Sequence, residues 1–203
     1  MAAQLALTFG IAFVVLVAVL HGVHADLVPR AHVLSEYALG PTGWLMALAF
    51  FALAASFSAL LVALWTSLPG WRGALGRTTL AIAAIGAAMG GLFPMDPIGT
   101  PPDQASTSAQ LHNVAFMLGG PGMLAAITFV NWALGRQPAW RGARRMLLIT
   151  GALACLAMVA LFVAVSMLMG DPQGGDRAIG LLNRLLVVSW VVWVVGLSMS
   201  GRR

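Results

Sequence analysis

The chain has no lysine, a single cysteine, a single tyrosine and only six side-chain carboxylates in 203 residues. The missing lysine excludes a retinal Schiff base and every other lysine-centred covalent mechanism. Cys155 lies inside an apolar run, so an intramolecular disulfide and a thiolate metal cluster are both excluded, and the residue reads as packing. Charged side chains make up 8% of the chain, against about a quarter in ordinary globular domains. With 60% hydrophobic residues, such a chain belongs in a bilayer. The net charge of +5 is carried by arginines in short clusters beside apolar runs rather than on one basic face. Their role is orientation, and no nucleic-acid partner is implied. No acidic residue lies deep in an apolar run, which counts against a proton-coupled pump. The eleven methionines are scattered through apolar stretches as packing rather than grouped as copper ligands.

What is present is a series of six apolar stretches, over residues 5–24, 43–68, 78–93, 111–134, 146–169 and 178–199. Most reach the roughly 20 residues that a spanning helix needs. The third is short and is expected either to stand upright among its neighbours or to continue past Phe93 as irregular backbone. The first has small residues, Val23 and Ala25, where a signal peptidase would read them. Its N-terminal end has no basic residue, however, so it is read as a retained helix.

All six acids (Asp26, Glu36, Asp96, Asp103, Asp171 and Asp176) fall in three alternate gaps. Eight arginines fall in the other gaps and at the C-terminus: Arg72, Arg77, Arg136, Arg141, Arg144, Arg145, Arg202 and Arg203. Because Lys and Arg near helix ends stay cytoplasmic, this segregation predicts an all-α membrane protein. It is a bundle of six transmembrane helices with both termini cytoplasmic and three outward hairpins, forming one domain over residues 1–203. The Ala, Gly and Arg bias points to a bacterial chain, which places the protein in the plasma (inner) membrane as a multi-pass protein. Trp44, Trp65, Trp71, Trp132 and Trp140 lie near span ends as an interfacial belt.

Helix contacts in lipid rest on small residues. The third stretch supplies Gly86 and Gly90, with Ala83, Ala87 and Gly91 at the same spacing, and is expected to be the central helix. In the fourth, Pro121 among Gly119, Gly120 and Gly122 removes an amide, so a kink or local unwinding is expected. The turns Asp96-Pro97-Ile98-Gly99 and Asp171-Pro172-Gln173-Gly174 repeat weakly, and ordinary turn chemistry accounts for them.

The polar candidates gather on the outward side. Three of the four histidines lie between His21 and His32, and His21 and His24, with His112, are candidates for a metal ion such as zinc. Asp96 ends one helix and His112 opens the next, so hairpin closure is expected to bring them to one depth. An aspartate oriented on a histidine suits general-base work or recognition of a polar headgroup. Arg184 stands inside the last span beside Asn183, where a guanidinium needs a partner: Asp96, Glu36, Asp26 or an anionic ligand.

These residues also mark a resemblance. Ser35-Glu36-Tyr37-Ala38-Leu39-Gly40 running into Gly43-Trp44-Leu45 is one part of it, and Gly91-Leu92-Phe93-Pro94-Met95-Asp96-Pro97 with His112 one loop later is another. The third is Gly180-Leu181-Leu182-Asn183-Arg184-Leu185. Together they resemble the integral membrane family called domain of unknown function 998, over nearly the whole chain. Asn183 stands where that resemblance leads one to expect an acidic residue. The resemblance implies a fold and a shared polar cluster but no activity and no cofactor.

The resulting expectation is an outward pocket of Ser35, Glu36, Asp96, His112, Asn113 and Arg184 that binds a lipid or isoprenoid-like amphiphile. Arg184 would hold the anionic part. One alternative is a membrane-embedded hydrolase or transferase acting on a lipid headgroup, with His112 as base and Asp96 as its orienter. Another is an accessory subunit of a larger membrane complex or a homo-oligomer.

Overall fold

A computed structural model describes residues 1–170 and 178–200. Its six long helices are α1 (Ala2–Val23), α2 (Gly43–Leu64), α3 (Gly70–Leu92), α4 (Thr107–Leu134), α5 (Arg144–Gly170) and α6 (Ile179–Ser200), and no strand occurs among the described residues. All six are long and apolar enough to cross a membrane. Their outer faces expose large aliphatic side chains, with Val62 65%, Leu156 68% and Leu148 74% exposed, a surface suited to lipid and not to water. The chain is an all-α, multi-pass membrane protein. The second acidic turn, from Asp171 through Asp176 and Arg177, and the C-terminal Arg202 and Arg203 lie outside the described residues.

The third helix corrects the short span expected for it. α3 has 23 residues and begins at Gly70, so Arg72 and Arg77 lie within its first two turns. An apolar window stops at such arginines, but the helix does not, because a long stem lets each guanidinium reach the helix end. Arg77 donates to the carbonyls of Leu68 and Trp65 and lies over the Trp65 ring. Arg72 lies over the rings of Trp71 and Trp132 at 4.8 and 4.3 Å.

The helices form a ring in chain order that α6 closes against α1, and α2 and α6 also touch across the interior. α3 is therefore part of the wall between α2 and α4, and is not central. Its closest contact is the one its glycines permit. A Cβ at Gly86 would overlap the backbone of Gly119 and come within 2.7 Å of the Ala115 carbonyl, so only glycine allows this approach. α4 stays helical through Pro121 for all of its 28 residues, so of the expected kink or local unwinding the unwinding does not occur. Buried side chains from all six helices form one continuous core.

Hydrogen bonds tie the interhelical connections together at the two ends of the bundle. At one end, Gln137 after α4 donates to the carbonyl of Ser67 before α3 at 2.8 Å. At the other, the segment after α1 is joined both to α6 and to the start of α4, and this end holds the candidate site.

Candidate functional site

The segment after α1 contains a short 3-10 turn, Leu34–Ala38, that folds back onto α6. Gly180 makes this possible, since a Cβ there would overlap the carbonyls of Pro29 and His32 and lie 2.9 Å from the His32 amide. The Gly180 amide donates to the Arg30 carbonyl at 3.0 Å, and the Leu34 amide donates to Asn183 Oδ1 at 3.0 Å.

Arg184 is the hub of this junction. Its Nε donates to His21 Nε2 at 2.9 Å, and one terminal nitrogen donates to the carbonyls of Pro29, His32 and Gly180 at 2.9, 2.6 and 3.0 Å. The other terminal nitrogen donates to the hydroxyl of Tyr37 at 2.9 Å. His21 Nδ1 faces the Val17 carbonyl at 2.7 Å and must donate to it, which leaves Nε2 to accept from the guanidinium. No carboxylate pairs with Arg184 among the described residues, so the expected Asp96, Glu36 or Asp26 partner is replaced by carbonyl dipoles, an imidazole and a phenol. Tyr37 is fully buried, and the rings of His21 and His24 pack on it at 5.2 and 5.5 Å. Its part in the junction was not foreseen, though the only phenol of the chain standing beside Glu36 was a usable signal.

Glu36 is 6% exposed and engaged within its own turn. One oxygen accepts from the Val33 amide and the other from His32 Nδ1, each at 2.7 Å. His24 Nε2 pairs with the Thr42 hydroxyl at 2.7 Å. The candidate metal ligands His21, His24 and His112 thus go to three different tasks. No group of three or more His, Cys, Asp or Glu side chains that could hold a metal occurs among the described residues.

Asp96 is also placed differently from expectation. Its two oxygens accept from the amide and the hydroxyl of Ser106, at 2.7 and 2.8 Å. Ser106 is the N-cap of α4 and accepts in turn from the Ala109 amide at 3.0 Å. Asp96 therefore supports a helix start and makes no bond to His112. Asn113 is exposed and lies outside the cavity described next.

His112, 8% exposed, is oriented by backbone. Its Nδ1 lies 2.7 Å from the carbonyl of Phe93, the C-cap of α3, and its Nε2 lies 3.1 Å from Ser35 Oγ. A carbonyl can only accept, so the ring proton sits on Nδ1 and the serine hydroxyl donates to the Nε2 lone pair. The edge of Phe50 packs on the ring at 6.1 Å.

Ser35, His112 and Asn183 stand at one end of a cavity of about 70 Å³ inside the bundle. The deeper walls are mostly apolar, from Phe50, Phe57 and the ring of Trp190, whose buried indole N–H has no partner among the described residues, with Ala83, Ala87 and Gly90 of α3 leaving the space. From His112 to Gly120, both on the wall, α4 advances about 12 Å. Asn183 Oδ1 is held by the Leu34 amide, whereas its amide nitrogen has no partner among the described residues.

No curated protein and no solved structure matches the chain. A family match covers residues 7–200, and the chain belongs to the family described as protein of unknown function, DUF998.

Proposed function

We propose that the protein is a bacterial plasma-membrane protein that holds the hydrocarbon tail of a single-chain amphiphile. The tail lies in the cavity between α2, α3, α4 and α6, and the polar end lies against Ser35, His112 and Asn183 on the extracytoplasmic side. The observation that carries this reading is the polarity of the cavity, which has three polar side chains at one end and apolar walls for the remaining length. Water needs roughly 10–15 Å³ of such space per molecule and two to four polar partners. A space of about 70 Å³ is roomy enough for several waters, but apart from the indole N–H of Trp190 its deep walls are apolar and leave each water short of the two to four partners it needs. A run of methylenes suits those walls. The small volume favours one chain over a two-chain phospholipid. Arg184 is not a headgroup clamp in this reading, because four of its five N–H donors are engaged in the junction.

The sidedness follows from the arginines, which cluster at the opposite end of the bundle. The test is mass spectrometry of the ligand retained by protein purified in mild detergent, compared with Ala87→Leu. Ala87 is 6% exposed and lines the cavity, so added methylenes fill it. Wild-type protein should retain a single-chain species, and the variant should lose at least about 90% of it, since a leucine in the slot costs the tail its burial at about 0.8 kcal/mol per methylene. Equal retention by both would remove the cavity from the binding account.

A further inference from the structure

The end of the cavity carries more than tail binding requires. Ser35 comes from the segment after α1 and His112 from the second turn of α4, far apart in the chain, yet the serine hydroxyl points its proton at the imidazole lone pair at 3.1 Å. The imidazole is fixed from behind by the Phe93 carbonyl at 2.7 Å. A hydroxyl, a neutral imidazole accepting from it and a third group orienting that imidazole form the arrangement that activates a serine. The third group here is a backbone carbonyl, where a carboxylate would be the more familiar choice. Phe93 caps α3, so its carbonyl belongs to the end of the helix where the partial charge of the aligned peptides is negative. That charge favours the imidazolium that forms when the serine proton is taken up. Next to the pair, the amide nitrogen of Asn183 is a donor with no protein partner among the described residues, held in place through its own oxygen.

We propose that Ser35 is an acyl-accepting nucleophile, with His112 as its base and Asn183 as an oxyanion donor, in the hydrolysis of a single-chain carboxylic ester whose acyl tail lies in the cavity. This rests on the tail-binding reading and assigns it a reaction. Ser35 Oγ forms a bond to the ester carbonyl carbon as its proton passes to His112 Nε2, and the carbonyl oxygen takes the negative charge facing the Asn183 amide. The tetrahedral centre collapses, the ester C–O bond breaks, and the proton on Nε2 goes to the departing alkoxide, which leaves as an alcohol. Water then attacks the acyl-serine, giving a proton to Nε2, and the Ser35 C–O bond breaks as that proton returns to the serine oxygen. The sum is ester plus water giving carboxylic acid plus alcohol, with the dyad restored.

The experiment treats the full chain in detergent with a fluorophosphonate bearing one alkyl chain and maps the adduct by peptide mass. In parallel, binding of a fluorescent single-chain fatty acid is measured on the same samples. One phosphonyl group should appear on Ser35, none on Ser35→Ala, and the labelling rate of His112→Gln should fall about 100-fold or more, the usual share of a general base. Circular dichroism and elution volume confirm that both variants fold, and fatty-acid binding is read on the wild-type protein. No adduct on a wild-type protein that binds the fatty acid would overturn the nucleophile and leave the tail-binding reading standing. A Ser35 adduct formed equally fast in His112→Gln would overturn the dyad. Absence of fatty-acid binding in the wild type would instead overturn the reading on which the proposal rests.

Discussion

The two ends of the bundle use polar side chains in opposite ways. At the Ser35 end, histidine, asparagine, serine, tyrosine and arginine side chains from α1, the segment after it, α4 and α6 bond to one another and to main-chain carbonyls. At the other end, the arginines meet carbonyls and ring faces that are mostly exposed. Arg144 donates to the Gly135 carbonyl at 2.6 Å, Arg136 lies over the Trp132 ring, and Arg72 and Arg77 cover tryptophan faces. Among the described residues, no carboxylate sits on these arginines. The same guanidinium is thus a tie between distant pieces of chain at one end and an interfacial anchor at the other. The difference lies in whether water and lipid headgroups can replace the partners. They can do so for an exposed carbonyl or ring face, but less readily for the fully buried Tyr37 and the part-buried His21 and carbonyls of His32 and Gly180 around Arg184.

Breaking this comparison starts with Arg184→Met, which keeps the stem and removes the donors. His21, Tyr37 and the carbonyls of Pro29 and His32 then lose their donor, and hydrogen bonds to a charged group contribute about 1.5–3 kcal/mol each. Such losses are not additive, and a drop of about 3 kcal/mol is expected in detergent unfolding. Gly180→Ala should cost about 2 kcal/mol, because its methyl would have to push away the turn that supplies those carbonyls. Combined with Arg184→Met it should cost less than the sum, since both changes act on one contact. A fully additive double variant would show that the turn and the guanidinium hold the junction independently.

Asp96→Ala comes next, at about 1 kcal/mol, the usual cost of losing support at a helix N-terminus. It also separates two accounts of His112. With the Phe93 carbonyl as orienter, phosphonylation of Ser35 should be unchanged by this substitution. A marked slowing would return Asp96 to the role the sequence suggests for it.

That exchange of roles shows where the sequence is readable. All six helices were visible as apolar stretches, and Ser35, His112 and Arg184 were visible as polar residues bound for one end of the bundle. Their pairing was not visible. A sequence displays side chains, so Asp96 was the natural partner for His112, whereas the acceptor used is a backbone carbonyl that any residue at position 93 would supply. The same applies to Arg184, three of whose acceptors are main-chain oxygens, two of them from Pro29 and His32 and brought close by the missing side chain of Gly180. Gly86 was legible as a contact point, but its partner, Gly119, was visible only as part of a proline-containing segment expected to kink or unwind. The cavity was illegible for a related reason. It is the space left by small residues of α3 facing large ones of α2 and α6, and no single helix displays it.

The smallest expected effect provides the sharpest control. Arg144→Gln removes the bond to Gly135 at an exposed helix start, where water can take over the carbonyl, so stability should change by no more than about 0.5 kcal/mol. Arg72→Gln should cost slightly more, about 1 kcal/mol, because Arg72 lies over two tryptophan rings that would lose a cation. Unfolding midpoints in low and high salt check both, since screening weakens exposed charges and hardly touches a guanidinium enclosed by carbonyls. If Arg144→Gln were to match Arg184→Met, the enclosed acceptors around Arg184 would contribute nothing that an exposed carbonyl does not. The two ends would then differ in layout alone, and the junction that positions Ser35 and Asn183 would lose its physical basis.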